Sequence, residues 1–211
     1  YYQTVAQLAH EQDLELYSEA LEDNRPQLGD DIGMRSRADV PMGALWTLAP
    51  GSEGRQTYLA DVLGAASTAH LYGQPRIGAE AFGAYLQPWA FSPRDLKRTA
   101  DLALSLGVNL FNIHTSAHQP LERKPGLALA PFLGQYFSRH ETWAEIAKPW
   151  IDYLARSSYL LQQGHRVADV LYFYGEEAPL TSLYGQGLPS DLPTAYGFDF
   201  INADALKALV T

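Results

Sequence analysis

The chain has no cysteine, which excludes a disulfide framework and thiol chemistry. It has no run of Lys or Arg, and 15 basic against 24 acidic residues give a net charge of −9, so nucleic-acid binding is disfavoured. No apolar stretch approaches transmembrane length, and membrane insertion is not expected. No glycine-rich phosphate loop follows any strand-like segment, so a nucleotide-binding doubly wound sheet loses its main support. An initiating methionine and a signal-peptide pattern are both missing at Tyr1 and Tyr2, and the chain is expected to be an excerpt of a longer polypeptide. What is left is an ordinary globular composition, 46% hydrophobic and 18% charged, in which extensive disorder is disfavoured.

Within that composition, apolar runs end abruptly in polar residues. Val108 to Ile113 is mostly apolar and gives way to His114, Thr115, Ser116, His118 and Gln119. Arg76 to Phe82 carries Glu80 just inside its end, and Leu14 to Ser18 runs into Glu19. A buried parallel strand reads this way as it emerges at its carboxyl end. In α/β proteins, ligands and catalytic groups collect at that end.

Helix-like segments separate these strands. Tyr2 to Asp13 and Tyr58 to Leu71 are helical in pattern, the second ended by Gly73 and Pro75. Ser92, Pro93 and Asp95 open a third helix, which Gly107 ends. Thr142 to Glu145 reads as a capping box that starts a long helix running toward Gly164, with a kink at Pro149. Ala168 to Tyr174 is a fourth strand and Gly197 to Asn202 a fifth. Asn24 to Gly54, rich in Pro, Gly, Asp and Arg, reads as a long irregular connection in which Gly43 to Leu48 could form a short extended piece.

Strands alternating with helices predict a parallel sheet flanked by helices. A closed barrel of this kind has eight strands and typically about 250 residues, and an open piece would leave unpaired edges. The expected fold is therefore α/β: a partial (β/α)8 TIM-like barrel, roughly strands 4 to 8. Residues 1–211 would be its C-terminal part, with the N-terminal strands upstream of Tyr1. A complete open doubly wound sheet is the alternative.

Glu80, inside an apolar strand end, is hard to explain as surface decoration. An ion pair is the structural reading, and a general acid or base tuned by burial is the functional one. Glu19 has a similar position, although Glu22 and Asp23 beside it look like a solvated turn. Two carboxylates on facing strands suit glycoside hydrolysis, one as acid for the leaving oxygen and one as base for water. His114 and His118 have the spacing of a helical metal pair but sit at a strand end, so hydrogen bonds to sugar hydroxyls or a carboxylate fit better. A satisfied core histidine is the plain alternative for His114. Trp46, Trp89 and Trp143 are candidates for the walls of a sugar cleft, though packing explains each one alone. Glu176 or Glu177 could serve the site from the end of the fourth strand. Glu145 is assigned to helix capping, and Asp199, alternating with Phe198 and Phe200, points to an unknown target.

The segments Ala38 to Gly43, Ala79 to Phe82, Trp89 with Ser92 and Pro93, Gly107 to Asn109, His114 to Pro120, Thr142 with Trp143 and Ala168 to Glu176 resemble glycoside hydrolase family 106, the α-L-rhamnosidases. They run in order from about Tyr1 to about Ala178. The resemblance implies a large multidomain bacterial enzyme with a catalytic (β/α)8 barrel, inversion at the anomeric carbon and dependence on calcium. It implies catalytic roles for Glu80 and, less specifically, Glu19; His114, His118, Trp46, Trp89 and Glu176 are the candidate substrate contacts by their positions at the strand ends and loops. Rhamnose-containing glycosides or polysaccharides are the implied substrates, and a periplasmic or extracellular location is expected. One departure stands out: many members carry Glu after Pro-Met-Gly, where this chain has Ala44. Either Glu19 or Glu22 supplies the missing carboxylate, or activity is reduced or absent. A non-catalytic carbohydrate-binding relative and a hydrolase of another deoxysugar are therefore the rival readings.

Overall fold

The structure is a computed structural model and describes residues 1–20, 29–48, 51, 55–120, 122–123, 126–127, 132–176 and 190–210. Its main element is a parallel sheet in spatial order β1 (Tyr17–Ser18), β2 (Val40–Leu45), β3 (Gly78–Ala81) and β4 (Leu110–Ile113). Before and between them run α1 (Tyr2–His10), α2 (Asp31–Arg35), α3 (Gln56–Tyr72) and α4 (Pro93–Ser105). Side chains alternate faces along each strand. Leu45, Ala79 and Phe111 pack on Val62 of α3 and Ala103 of α4, which makes theirs the helix-covered face. Met42, Ala44, Gly78, Glu80 and Asn112 therefore share the other face.

The local signals explain the helices. At the expected helix start Ser92 and Asp95 form a capping box, with Pro93 in the first turn, and Gly73 ends α3 in the left-handed conformation at φ 73°. Pro149 does not kink a long helix. A 3-10 turn at Ala144–Ile146 precedes α5 (Lys148–Leu161), with Pro149 in its first turn. Proline fits there because its missing N–H has no intrahelical partner in any case. Glu145 is exposed in that short turn, and among the described residues no bond from it to Thr142 exists, so the expected capping box is not formed.

Val40–Leu45 is a full strand near the centre of the main sheet, not a short piece within a loop. Pro41 and Gly43 hide it in the sequence, since both are poor strand formers. Each is tolerated for a reason. The Val40 N–H points toward β1, donating to Leu16 O at 3.2 Å, so the Pro41 nitrogen points toward β3. That strand pairs only from Gly78, opposite Met42. A Cβ at Gly43 would stand 2.9 Å from the Asp61 backbone, so glycine allows α3 to sit close.

β1 pairs with β2 at only two positions, Tyr17↔Val40 and Ser18↔Pro41. Above them, β2 would expose backbone groups on that side. A buried ion cluster takes over. The Asp61 carboxylate accepts from Ala44 N at 2.7 Å, and Arg35 Nε donates to Met42 O at 3.0 Å. Arg35 also donates to Asp61 and, at 3.2 Å, to Asp31. Arg35 and Asp31 are fully buried and Asp61 is nearly so.

The fourth and fifth expected strands exist as β5 (Val170–Phe173) and β6 (Phe198–Ile201), but among the described residues they pair only with each other. They do not continue the main sheet. They lie across α3, where Phe200 packs with Ile32 and Ala60, and α6 (Ala203–Val210) follows. Asp199 finds its target here: it accepts from Ser67 Oγ at 3.2 Å and bonds His70 Nδ1 at 2.8 Å. Both groups turn to the carboxylate rather than to each other, so this Ser, His and Asp set fastens β6 to α3 and is no nucleophile–base pair. The α/β class and parallel pairing are as expected. The single five-stranded arc is not, and no barrel is closed among the described residues. Among them, too, no helix is long and apolar enough to cross a membrane.

Candidate functional site

Glu80 occupies the helix-free strand face, half-buried, with Ala44 beside it on β2 and Asn112 on β4. Below it, Met42 crosses over Gly78 and its Sδ accepts from Asn112 Nδ2 at 3.1 Å. Gly78 is required for that crossing, because a Cβ there would stand 2.3 Å from Met42 Cγ. Met42 and Asn112 thus form a floor, and the Asn112 amide is turned away from the carboxylate.

Above Glu80 the strands give way to loops. Phe82 adopts φ 70°, a conformation uncommon outside glycine, and turns its ring back into the core against Phe111 and Trp150. Trp46, beyond β2, and His114, beyond β4, flank β3 from either side. Strands two apart are separated by roughly 9.6 Å, yet the two rings stack with centroids 6.1 Å apart. They meet over Gly83, where a Cβ would lie 2.9 Å from the indole. The indole also stacks on Tyr58, again at 6.1 Å. Its Nε1–H donates to Glu80 Oε1 at 3.3 Å. His114 Nδ1 is buried without a hydrogen-bond partner among the described residues.

The two loops clasp one another beside this cluster. Leu86 N donates to Phe132 O at 2.9 Å, Gly134 N to Ala84 O at 2.9 Å, and Tyr136 N to Pro88 O at 2.8 Å. Trp89, 39% exposed, stands on this wall edge-on to buried Tyr136. Trp143 lies behind it, donating to Phe91 O at 3.3 Å.

The remaining candidates are dispersed. His118 is exposed in a small antiparallel bridge with Leu127, and no described contact joins it to Glu80. Glu19 is half-buried directly after β1. The register Tyr17↔Val40 carries it onto the same face as Glu80, two strands away. Glu176 is exposed after β5, 3.8 Å from Lys207 Nζ, with α3 between its sheet and the strands that carry Glu80. Glu22, Asp23 and Glu177 lie outside the described residues.

Calcium takes six to eight oxygen ligands. Among the described residues no group of three His, Asp or Glu side chains could hold a metal ion, and Glu80 is the one carboxylate in the cluster with Trp46 and His114. The donor set of this cluster does not fit the ion. Sequence reasoning missed the buried Asp31, Arg35 and Asp61 set entirely. Its three members are spread over α2 and α3, and only folding brings them to one strand edge.

The chain is similar to a known glycosidase family. The glycoside hydrolase 106 family model, described as alpha-L-rhamnosidase, matches residues 1–211. The solved structure of a rhamnosidase from Novosphingobium sp. PP1Y is 60% identical, with a TM-score of 0.91 over 97% of this chain and 19% of that one. A Formosa agariphila protein carrying the name "Putative beta-glucuronidase" is 36% identical over 180 residues, which is 85% of this chain and 14% of that protein. This chain therefore spans less than a fifth of the length of either relative.

Proposed function

The chain belongs to the glycoside hydrolase 106 family, and from that membership we propose that it supplies part of the active site of an enzyme cleaving terminal α-L-rhamnosides. The observation that carries this reading is the half-buried Glu80 on the open strand face, held by Trp46 and flanked by the His114 ring. In this proposal the four-stranded sheet is an arc of a (β/α)8 barrel, whose other strands come from elsewhere in a larger polypeptide.

Hydrolysis with inversion needs two carboxyl groups roughly 6.5–9.5 Å apart. One gives a proton to the glycosidic oxygen as its bond to the anomeric carbon breaks. The other takes a proton from the water that attacks the opposite face. Glu80 is one of this pair. Glu19 is the second candidate in the chain: a two-strand separation of roughly 9.6 Å between backbones leaves room for sugar and water. His114 and Trp89 would line the sugar's approach, with His118 at the rim. A calcium ion, if the enzyme uses one, would take most of its ligands from outside the Glu80 cluster.

The experiment compares the natural polypeptide carrying this chain with its Glu80→Gln variant on an aryl α-L-rhamnoside. We expect kcat to fall by about 10²–10⁴; unchanged turnover removes Glu80 from the mechanism. One observation favours a second reading. Ala44 lies directly beside Glu80 across the β2–β3 ladder and places a methyl group where a second carboxylate would have had Glu80 within reach. A carbohydrate-binding relative without chemistry would bind rhamnose and turn nothing over. A panel of aryl glycosides, including a β-glucuronide, tests the breadth of the substrate class.

A further inference from the structure

We propose that Trp46 is a positioning residue for Glu80 and not a stacking platform for the sugar. The inference rests on the reading of Glu80 given above and deepens it. A sugar platform offers an open ring face. Two rings already stack near-parallel on this indole, Tyr58 and His114, each with centroids 6.1 Å away. The Gly83 backbone also lies against the bicycle, close enough that a Cβ would stand 2.9, 3.0 and 3.1 Å from three of its atoms. What the ring presents to the open strand face is its N–H edge, 3.3 Å from Glu80 Oε1.

That contact has no competitor. Asn112, beside Glu80 on β4, gives its amide N–H to Met42 Sδ, and residue 44 has only a methyl group. Among the described residues the indole is the single donor to this carboxylate. It fixes Oε1 and, among the described residues, leaves Oε2 without a protein donor, available to the reacting proton. The Tyr58–Trp46–His114 stack holds the donor edge in place, since aromatic stacking of this kind restricts ring rotation. A carboxylate with a single donor can turn about its side-chain torsions once that donor is removed. Misplacement of a catalytic group is costly even over small distances.

The test uses the natural polypeptide and an activated aryl α-L-rhamnoside. Trp46→Phe keeps a ring in the stack and removes only the donor. We expect kcat to fall about 10- to 100-fold, the range of one hydrogen bond to a charged group, with KM changed by less than about twofold. In a Glu80→Ala background the same substitution should cost almost nothing further, because the group it positions is gone. Gly83→Ala, which presses a Cβ into the indole, should lower kcat in the same way and serves should Trp46→Phe fail to fold.

Two results overturn the proposal. One is wild-type kcat in Trp46→Phe, or in Gly83→Ala where that variant stands in. The other is a loss that persists in full without Glu80. Full turnover in Glu80→Gln instead defeats the underlying reading. An inactive Glu80→Gln beside a fully active Trp46→Phe defeats only this inference.

Discussion

Asp61 and Glu80 address the same strand from its two sides. Asp61, on the helix-covered side, accepts from the Ala44 backbone N–H and from Arg35. Glu80, on the open side beside the Ala44 methyl, accepts from one indole N–H at 3.3 Å. Asp61 is almost completely buried and fully engaged, whereas Glu80 is half-buried with one oxygen unclaimed. A carboxylate whose hydrogen-bonding capacity is used up by the fold maintains the fold. One held at a single point and only half-buried keeps hydrogen-bonding capacity in reserve.

The sharpest way to break this comparison is to remove the cation behind β2. Arg35→Met leaves Asp31 and Asp61 buried without a counter-charge, and about 3–5 kcal/mol of stability should be lost. Urea unfolding would measure it. Glu80→Gln should cost less than about 1 kcal/mol in the same assay while abolishing most turnover. A comparable loss of stability in both variants would erase the distinction.

Acidity separates the two sides as well. Burial pushes Asp61 up from 3.8 to about 6, against the pull of Arg35, since two buried carboxylates share one guanidinium. The folded protein then retains a proton that the unfolded chain releases near pH 4. This contribution to stability is complete below about 4 and disappears as pH rises through about 6. Denaturation midpoints measured from pH 4 to 7 should carry that falling component, and Asp61→Asn should remove it.

Gly83→Ala tests the open side without touching a charge. Its Cβ, 2.9 Å from the indole, should overpack the stack by about 1–3 kcal/mol, read as a lowered Tm. Glu176→Gln is the smallest change. The residue is exposed and 3.8 Å from Lys207, so stability should stay within about 0.5 kcal/mol. An effect on KM from this position would place β5 closer to the sugar than the sheet arrangement does.

The strand ends at Glu80 and His114 were legible because an apolar run that turns polar is a local signal. The helix at Ser92 was legible for the same reason, its cap lying within four residues. The bond from Trp46 to Glu80 was not legible, since the ring stack around the indole draws on Tyr58 and His114, each far along the chain. The strand at Val40 was obscured by Pro41 and Gly43, whose tolerance depends on where β3 begins and how near α3 lies. The separate pairing of β5 with β6 was not legible, because an apolar strand carries no mark of its partner.

The sequence by itself determined the element types, the capped helix starts and the family, as these depend on residues close together in the chain or on ordered motifs along it. Tertiary structure alone decided which carboxylate is spent on the strand edge and which stays open. That choice depends on solvent exclusion and on donors from distant segments, and both come into being only when α2, α3 and the strands meet.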